Sequence, residues 1–174
     1  MNSFIDFNSQ KPQVHPSAFI APGVYIIGQV EIAEDANIWF NSVIRGDVLP
    51  IKIGKRSNIQ DLSLCHTSGG RVPTIVGEEV TVGHRVILHG CEIGNRVLVG
   101  MGAILMDEVK VGENSIIGAG SIVTENTIIP PGVLALGSPC KVKRDLTLQE
   151  IAFLEKSALN YVEKAKLYFT SFSS

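Results

Sequence analysis

Apolar residues in this chain recur every six positions. Ile20, Ile26, Ile32, Ile38 and Ile44 open the series; Ile53, Ile59, Cys65, Val76, Val82, Leu88, Ile93, Val99, Leu105, Val111, Ile117, Val123 and Ile129 continue it. An amphipathic helix needs apolar residues every three to four positions, and a half-buried strand every two. A period of six fits a short strand plus a turn, repeated. That is the hexapeptide pattern of a parallel β-helix. Three hexads close one triangular turn, and stacked turns bury a continuous aliphatic column. The eighteen positions therefore predict about six turns.

Glycine directly follows many of these positions, as at Gly54, Gly77, Gly83, Gly94, Gly100, Gly112 and Gly118. It either relieves tight packing or supplies unusual backbone angles at a corner. The spacing breaks in three places. Three extra residues enter near Leu49-Pro50, five extra residues form a loop within 67–74, and the step from Leu88 to Ile93 is one short. Breaks of this kind mark functional sites, where a scaffold departs from its own rule. After Pro139 the period changes. Thr147-Leu148-Gln149-Glu150 reads as a capping box, and Leu148, Ile151, Leu154, Leu159, Val162 and Ala165 follow a helical spacing. The expected organisation is one domain: a β-helix over 1–140, then a helix of about 147–168 packed along it and a frayed tail within 141–174.

Composition narrows the possibilities. Fifteen basic and 17 acidic side chains give a formal charge of −2, so no pull toward nucleic acid or an anionic membrane is expected. No apolar run approaches a membrane span, and the N-terminus lacks the basic-then-apolar order of a signal peptide. Cys65, Cys91 and Cys140 are irregularly spaced and read as small buried hydrophobes of a reduced, cytoplasmic protein.

The candidate chemistry lies in His66, His84 and His89, set within 24 residues of the repeat. Three hexads forward from Cys65 is Leu88, so His66 and His89 occupy the same slot on consecutive turns. Stacked strands are about 4.8 Å apart, which lets two outward imidazoles converge on one ion. His84 follows Val82 by two and belongs to the preceding face. A neighbouring subunit would have to supply it, so the site is expected to straddle an interface. Heterologous contacts that close a ring give a cyclic assembly, and a three-sided prism suggests a trimer. Arg45 falls under His66, and Asp61 under His84 with Gln60 beside it; Arg45 of one chain is expected to face Asp61 of the next. Trp39, Phe40, Met101 and Met106 fall in outward slots around this band and are expected to form interface. His15, outside the repeat, reads as surface.

Arg45-Gly46-Asp47, Asn58-Ile59-Gln60-Asp61, His66, Val82-Gly83-His84 and Leu88-His89-Gly90-Cys91 together resemble the γ-class carbonic anhydrase family, in particular its bacterial γ-carbonic-anhydrase-like branch. The resemblance covers nearly the whole chain, including Gly137-Ser138-Pro139. It implies a left-handed β-helix and a homotrimer with three interfacial metal sites. His66, His84 and His89 match the metal ligands, Gln60 the residue that hydrogen-bonds the metal's solvent, and Arg45, Asp47 and Asp61 the inter-subunit network. Zinc is the implied metal, with iron or cobalt also known at such sites. The implied reaction is hydration of carbon dioxide to bicarbonate by metal-bound hydroxide. The chain departs from the family's archetype in its proton-export acids. Val48 and the segment Thr67-Ser68-Gly69-Gly70-Arg71-Val72-Pro73 hold none, which implies slow turnover. Two other readings share the fold: a hexapeptide-repeat acyltransferase, and a metal-binding protein without catalysis.

Overall fold

The short strands follow the hexad register. Asn58–Ile59, Leu64–His66, Thr74–Val76, Thr81–Val82, Ile87–His89 and Glu92–Ile93 succeed one another, and each pairs in parallel with the strand one turn away. The result, in a computed structural model that describes residues 3–69 and 72–172, is a parallel β-solenoid of about seven turns with a single C-terminal helix. The sequence spacing predicts about six turns. The further rungs are Gln13–Val14 at one end and Val133–Gly137 at the other. Val14 lies six before Ile20, and Ala135 six after Ile129. Gln13–Val14 is paired on one side only, and Val133–Gly137 turns the small Ala135 inward, so neither carries the large, fully buried aliphatic residue of most inner hexads.

The predicted column is the core. Ile26, Ile44, Cys65, Leu88, Leu105 and Val123 point inward on one face, all at 0–1% exposure. Each buried Ile or Leu contributes about 2 kcal/mol. The following glycines prove to be packing devices: a Cβ on Gly54 would sit 2.3 Å from the Gly77 carbonyl oxygen of the next turn. The positive φ angles fall two residues further on, at Arg56 and Glu79.

The breaks take different forms. The three residues near Leu49-Pro50 form no loop. They lengthen one continuous strand, Val43–Ile53, which bends across a corner with a register shift against Tyr25–Ile32. The five-residue insertion does loop out, between His66 and Thr74.

The sheet runs past residue 140: Cys140–Asp145 pairs antiparallel with Val133–Gly137 and closes that end of the solenoid. Helix α1, Leu148–Phe172, then runs back along the face of Phe19–Ile20, Asn37–Ile38, Asn58–Ile59 and Thr81–Val82. Its capping box forms as expected. The Glu150 amide donates to Thr147 Oγ1 (3.2 Å), and the Thr147 amide donates to Glu150 Oε2 (2.9 Å). Two expectations need correction. The helix outlasts the expected end at 168 because Tyr168 and Phe169 pack on Phe19, Trp39 and Phe40 at 5.3–6.0 Å. Its inward face is Leu154, Ala158, Val162 and Ala165, whereas Leu148 (86% exposed) and Leu159 face outward. No helix of the described residues is long and apolar enough to cross a membrane.

Candidate metal centre

His66 and His89 are direct register partners on adjacent rungs. The inward side chains of Cys65 and Leu88 anchor the rungs and leave the next position outward. The two rings tilt 56° with centroids 5.3 Å apart, and His66 Nδ1 lies 3.3 Å from His89 Nε2. The far nitrogen of each ring meets a carboxylate: His66 Nε2 is 3.0 Å from Asp47 Oδ1, and His89 Nδ1 is 3.1 Å from Asp107 Oδ1. A neutral imidazole carries one N–H. The tautomers that satisfy both carboxylates leave the facing nitrogens with lone pairs directed at each other, an arrangement that a shared cation relieves. Two donors on a tetrahedral centre with bonds of about 2.1 Å stand about 3.4 Å apart, so the pair fits a zinc-type ion.

Electrostatics favour the same state. Burial lowers the His66 pKa, outweighing the Asp47 hydrogen bond that raises it, so the ring is held neutral. Burial pushes the Asp47 carboxyl up, but hydrogen bonds from Arg45 and His66 outweigh it and hold the group below the usual carboxylate range. Arg45 Nη1 lies 2.6 Å from Asp47 Oδ2 in the same chain. The thiols next to this pair are inert. Cys65 and Cys91 are buried, and burial pushes both upward, Cys91 to about 12.

His84 stands on the adjoining face, as the register predicts. Its Nδ1 lies 2.7 Å from Asp61 Oδ2, and its side chain is 43% exposed. Among the described residues, no three His, Cys, Asp or Glu side chains of one chain converge closely enough to hold an ion. Gln60 is 5% exposed. Its Nε2 donates to Asn58 Oδ1 (3.0 Å), Asn58 Nδ2 donates to Thr81 Oγ1 (3.1 Å), and Thr81 meets Ser157 of the helix (3.1 Å). This chain of bonds ties Gln60 to α1 and fixes its amide. Gln60 and His84 border an apolar cavity of about 450 Å³, walled by Leu98, Val99, Met101 and Tyr161.

Of the expected outward residues, Met101 is 58% exposed, whereas Trp39 is only 4% exposed. The structure corrects Trp39: its own helix covers it through Tyr161 and Tyr168. Sequence reasoning missed Asp107 and Tyr161. Asp107 lies one turn above Gly90, and an acid stacked over a glycine beside a histidine is a readable signal. Tyr161 carried no such signal, because its place depends on how α1 docks. Burial, with the Asp61 charge, pushes its hydroxyl up and keeps it a donor.

Residues 11–46 and 90–125 match the family described as Bacterial transferase hexapeptide (six repeats), and residues 73–106 match Hexapeptide repeat of succinyl-transferase. The chain is 49% identical over 162 residues to a protein named carbonic anhydrase from Geobacillus kaustophilus, spanning 93% of this chain and 88% of that one. It is 42% identical over 164 residues to the mitochondrial gamma carbonic anhydrase 2 of Arabidopsis thaliana. That match spans 91% of this chain but only 59% of the longer plant protein. A solved structure described as a hexapeptide transferase family protein from Anaplasma phagocytophilum is 42% identical, with a TM-score of 0.92 over 95% of this chain and 98% of that chain. With identity of this depth over nearly its whole length, the chain belongs to the γ-class carbonic anhydrase family of hexapeptide-repeat proteins.

Proposed function

We propose that this protein catalyses the reversible hydration of carbon dioxide to bicarbonate at zinc sites shared between the subunits of a homotrimer. Iron or cobalt are alternative ions. His66 and His89 of one chain and His84 of the next are the ligands. The observation that carries this reading is the facing pair of nitrogens at 3.3 Å, each ring backed by an aspartate. Because one chain brings only two imidazoles together, the third donor comes from outside, and the half-exposed His84 is the imidazole available. Arg45 and Asp61, with side chains 39% and 34% exposed, are the complementary charges for that contact.

When bound, the metal is a Lewis acid that brings the ionisation of water near neutral pH. The rest is done by the chain. Asp47 and Asp61 fix the rings of His66 and His84. Gln60, its amide set by Asn58, orients the attacking oxygen. The apolar walls at Leu98, Val99 and Met101 admit a small apolar gas and keep bulk water out. Val48 is 45% exposed and no acid stands there, so proton export falls to external buffer. The buried thiols of Cys65, Cys91 and Cys140 suit a reducing compartment, and we assign the protein to the cytoplasm.

Stopped-flow hydration on metal-quantified protein tests the reading. The expected result is about one metal per chain and a rate that climbs with the concentration of an imidazole-type buffer. Fully loaded protein that hydrates no carbon dioxide between about pH 6 and 9, at any buffer concentration, makes it a non-catalytic metal protein. The matching transferase hexapeptide families and the solved relative described as a hexapeptide transferase support the acyltransferase reading; metal-free protein that transfers acetyl groups would favour it.

A further inference from the structure

We propose that Asp107 is the positioning residue for His89, and that Ser68, from the loop inserted after His66, braces it. This inference rests on the reading of His89 as a metal ligand.

Asp107 is buried at 6% exposure in a chain with mostly exposed acids. Its Oδ1 accepts from His89 Nδ1 at 3.1 Å, and its Oδ2 accepts from Ser68 Oγ at 2.8 Å. The backbone beneath it is shaped to admit the carboxylate. A Cβ at Gly90 would lie 2.3 Å from Asp107 Oδ1, and Gly90 also has φ +59°, so glycine is required there on two counts. Gly90 belongs to the five-residue step from Leu88 to Ile93. That break and the 67–74 insertion thus meet at one carboxylate. Gly90 leaves the room that the carboxylate occupies, and the insertion supplies a hydroxyl that holds it.

The consequence is chemical. A carboxylate on Nδ1 fixes that nitrogen as the donor and leaves Nε2 with its lone pair toward His66. Carboxylates behind ligating histidines fix tautomer and ring orientation, and their loss costs about 10–100-fold in metal affinity.

Two measurements on the full-length protein test this. The first uses metal-free protein at a pH where the rings are neutral. Long-range ¹H–¹⁵N correlation should show His89 as the Nδ1–H tautomer, and Asp107→Leu should give a mixture. The second is zinc affinity by chelator competition. We expect about a 10–100-fold loss for Asp107→Leu, and a smaller one for Asp107→Asn, which keeps an acceptor on the ring. Ser68→Ala should lose a few-fold. If Asp107→Leu fails to fold, the milder Asn and Ala variants still decide. An Nε2–H tautomer in the wild type, or unchanged zinc affinity in all folded variants, overturns the proposal. Wild-type protein that binds no zinc sinks the metal reading instead, and the tautomer measurement then decides the role of Asp107 by itself.

Discussion

Replacing His84 with alanine is expected to strip the protein of tightly bound metal and leave the solenoid folded. The side chain is outward and 43% exposed, so its loss removes little core. A zinc site holds its ion with roughly 10–16 kcal/mol over four positions, so one lost ligand costs about 3–4 kcal/mol, or 10²–10³-fold in affinity. Carbon dioxide hydration should fall at least in proportion. His66→Ala and His89→Ala should do the same, although those residues lie on a different face. Elemental analysis after gel filtration reads the result. If metal stays bound in His84→Ala and leaves only with His66 or His89, the ion is held without the third imidazole.

Leu88→Ala carries the largest expected effect on stability. Leu88 is fully buried, paired with Cys65 on one side and Leu105 on the other. Nothing in a stacked column can collapse into the space without moving a rung, so a loss of about 3 kcal/mol is expected, within the 2–5 kcal/mol typical of such truncations. Ile128, on the same solenoid but 72% exposed, should tolerate alanine within about 0.5 kcal/mol. Urea denaturation of the pair measures the contrast. Equal, small losses at both positions would mean that Leu88 is not the core residue its burial indicates. Because each rung contacts mainly its neighbours, hydrogen exchange should show the loss centred on the rungs that carry His66 and His89.

What could be read from the chain divides along physical lines. A period of six decides which side chains point inward, so Ile44, Cys65 and Leu88 were placed by counting. The same count stacked His66 on His89 and set His84 one face away, because a rung's register follows from the number of residues before it. Side chains that depend on another element were not accessible to counting. Trp39 occupies an outward slot by spacing, yet Tyr161 and Tyr168 of α1 cover it. The helix runs beyond its helical spacing because Tyr168 and Phe169 are anchored by tertiary contacts with Phe19. Counting stacks Asp107 over Gly90, but the reach of its carboxylate back to His89 is a matter of side-chain direction, which hexad spacing does not fix.

The central claim is that the site is divided between two chains, and mixing two defective variants tests it most directly. One variant carries His84→Ala and the other His66→Ala with His89→Ala, so neither can form a complete site alone. In a mixed cyclic trimer, one of the three interfaces pairs an intact His66 and His89 with an intact His84. Random assembly of equal amounts should therefore restore about one quarter of the wild-type metal content and carbon dioxide hydration. Recovery of neither metal nor activity, in a preparation shown by native mass spectrometry to contain mixed trimers, would contradict the shared site.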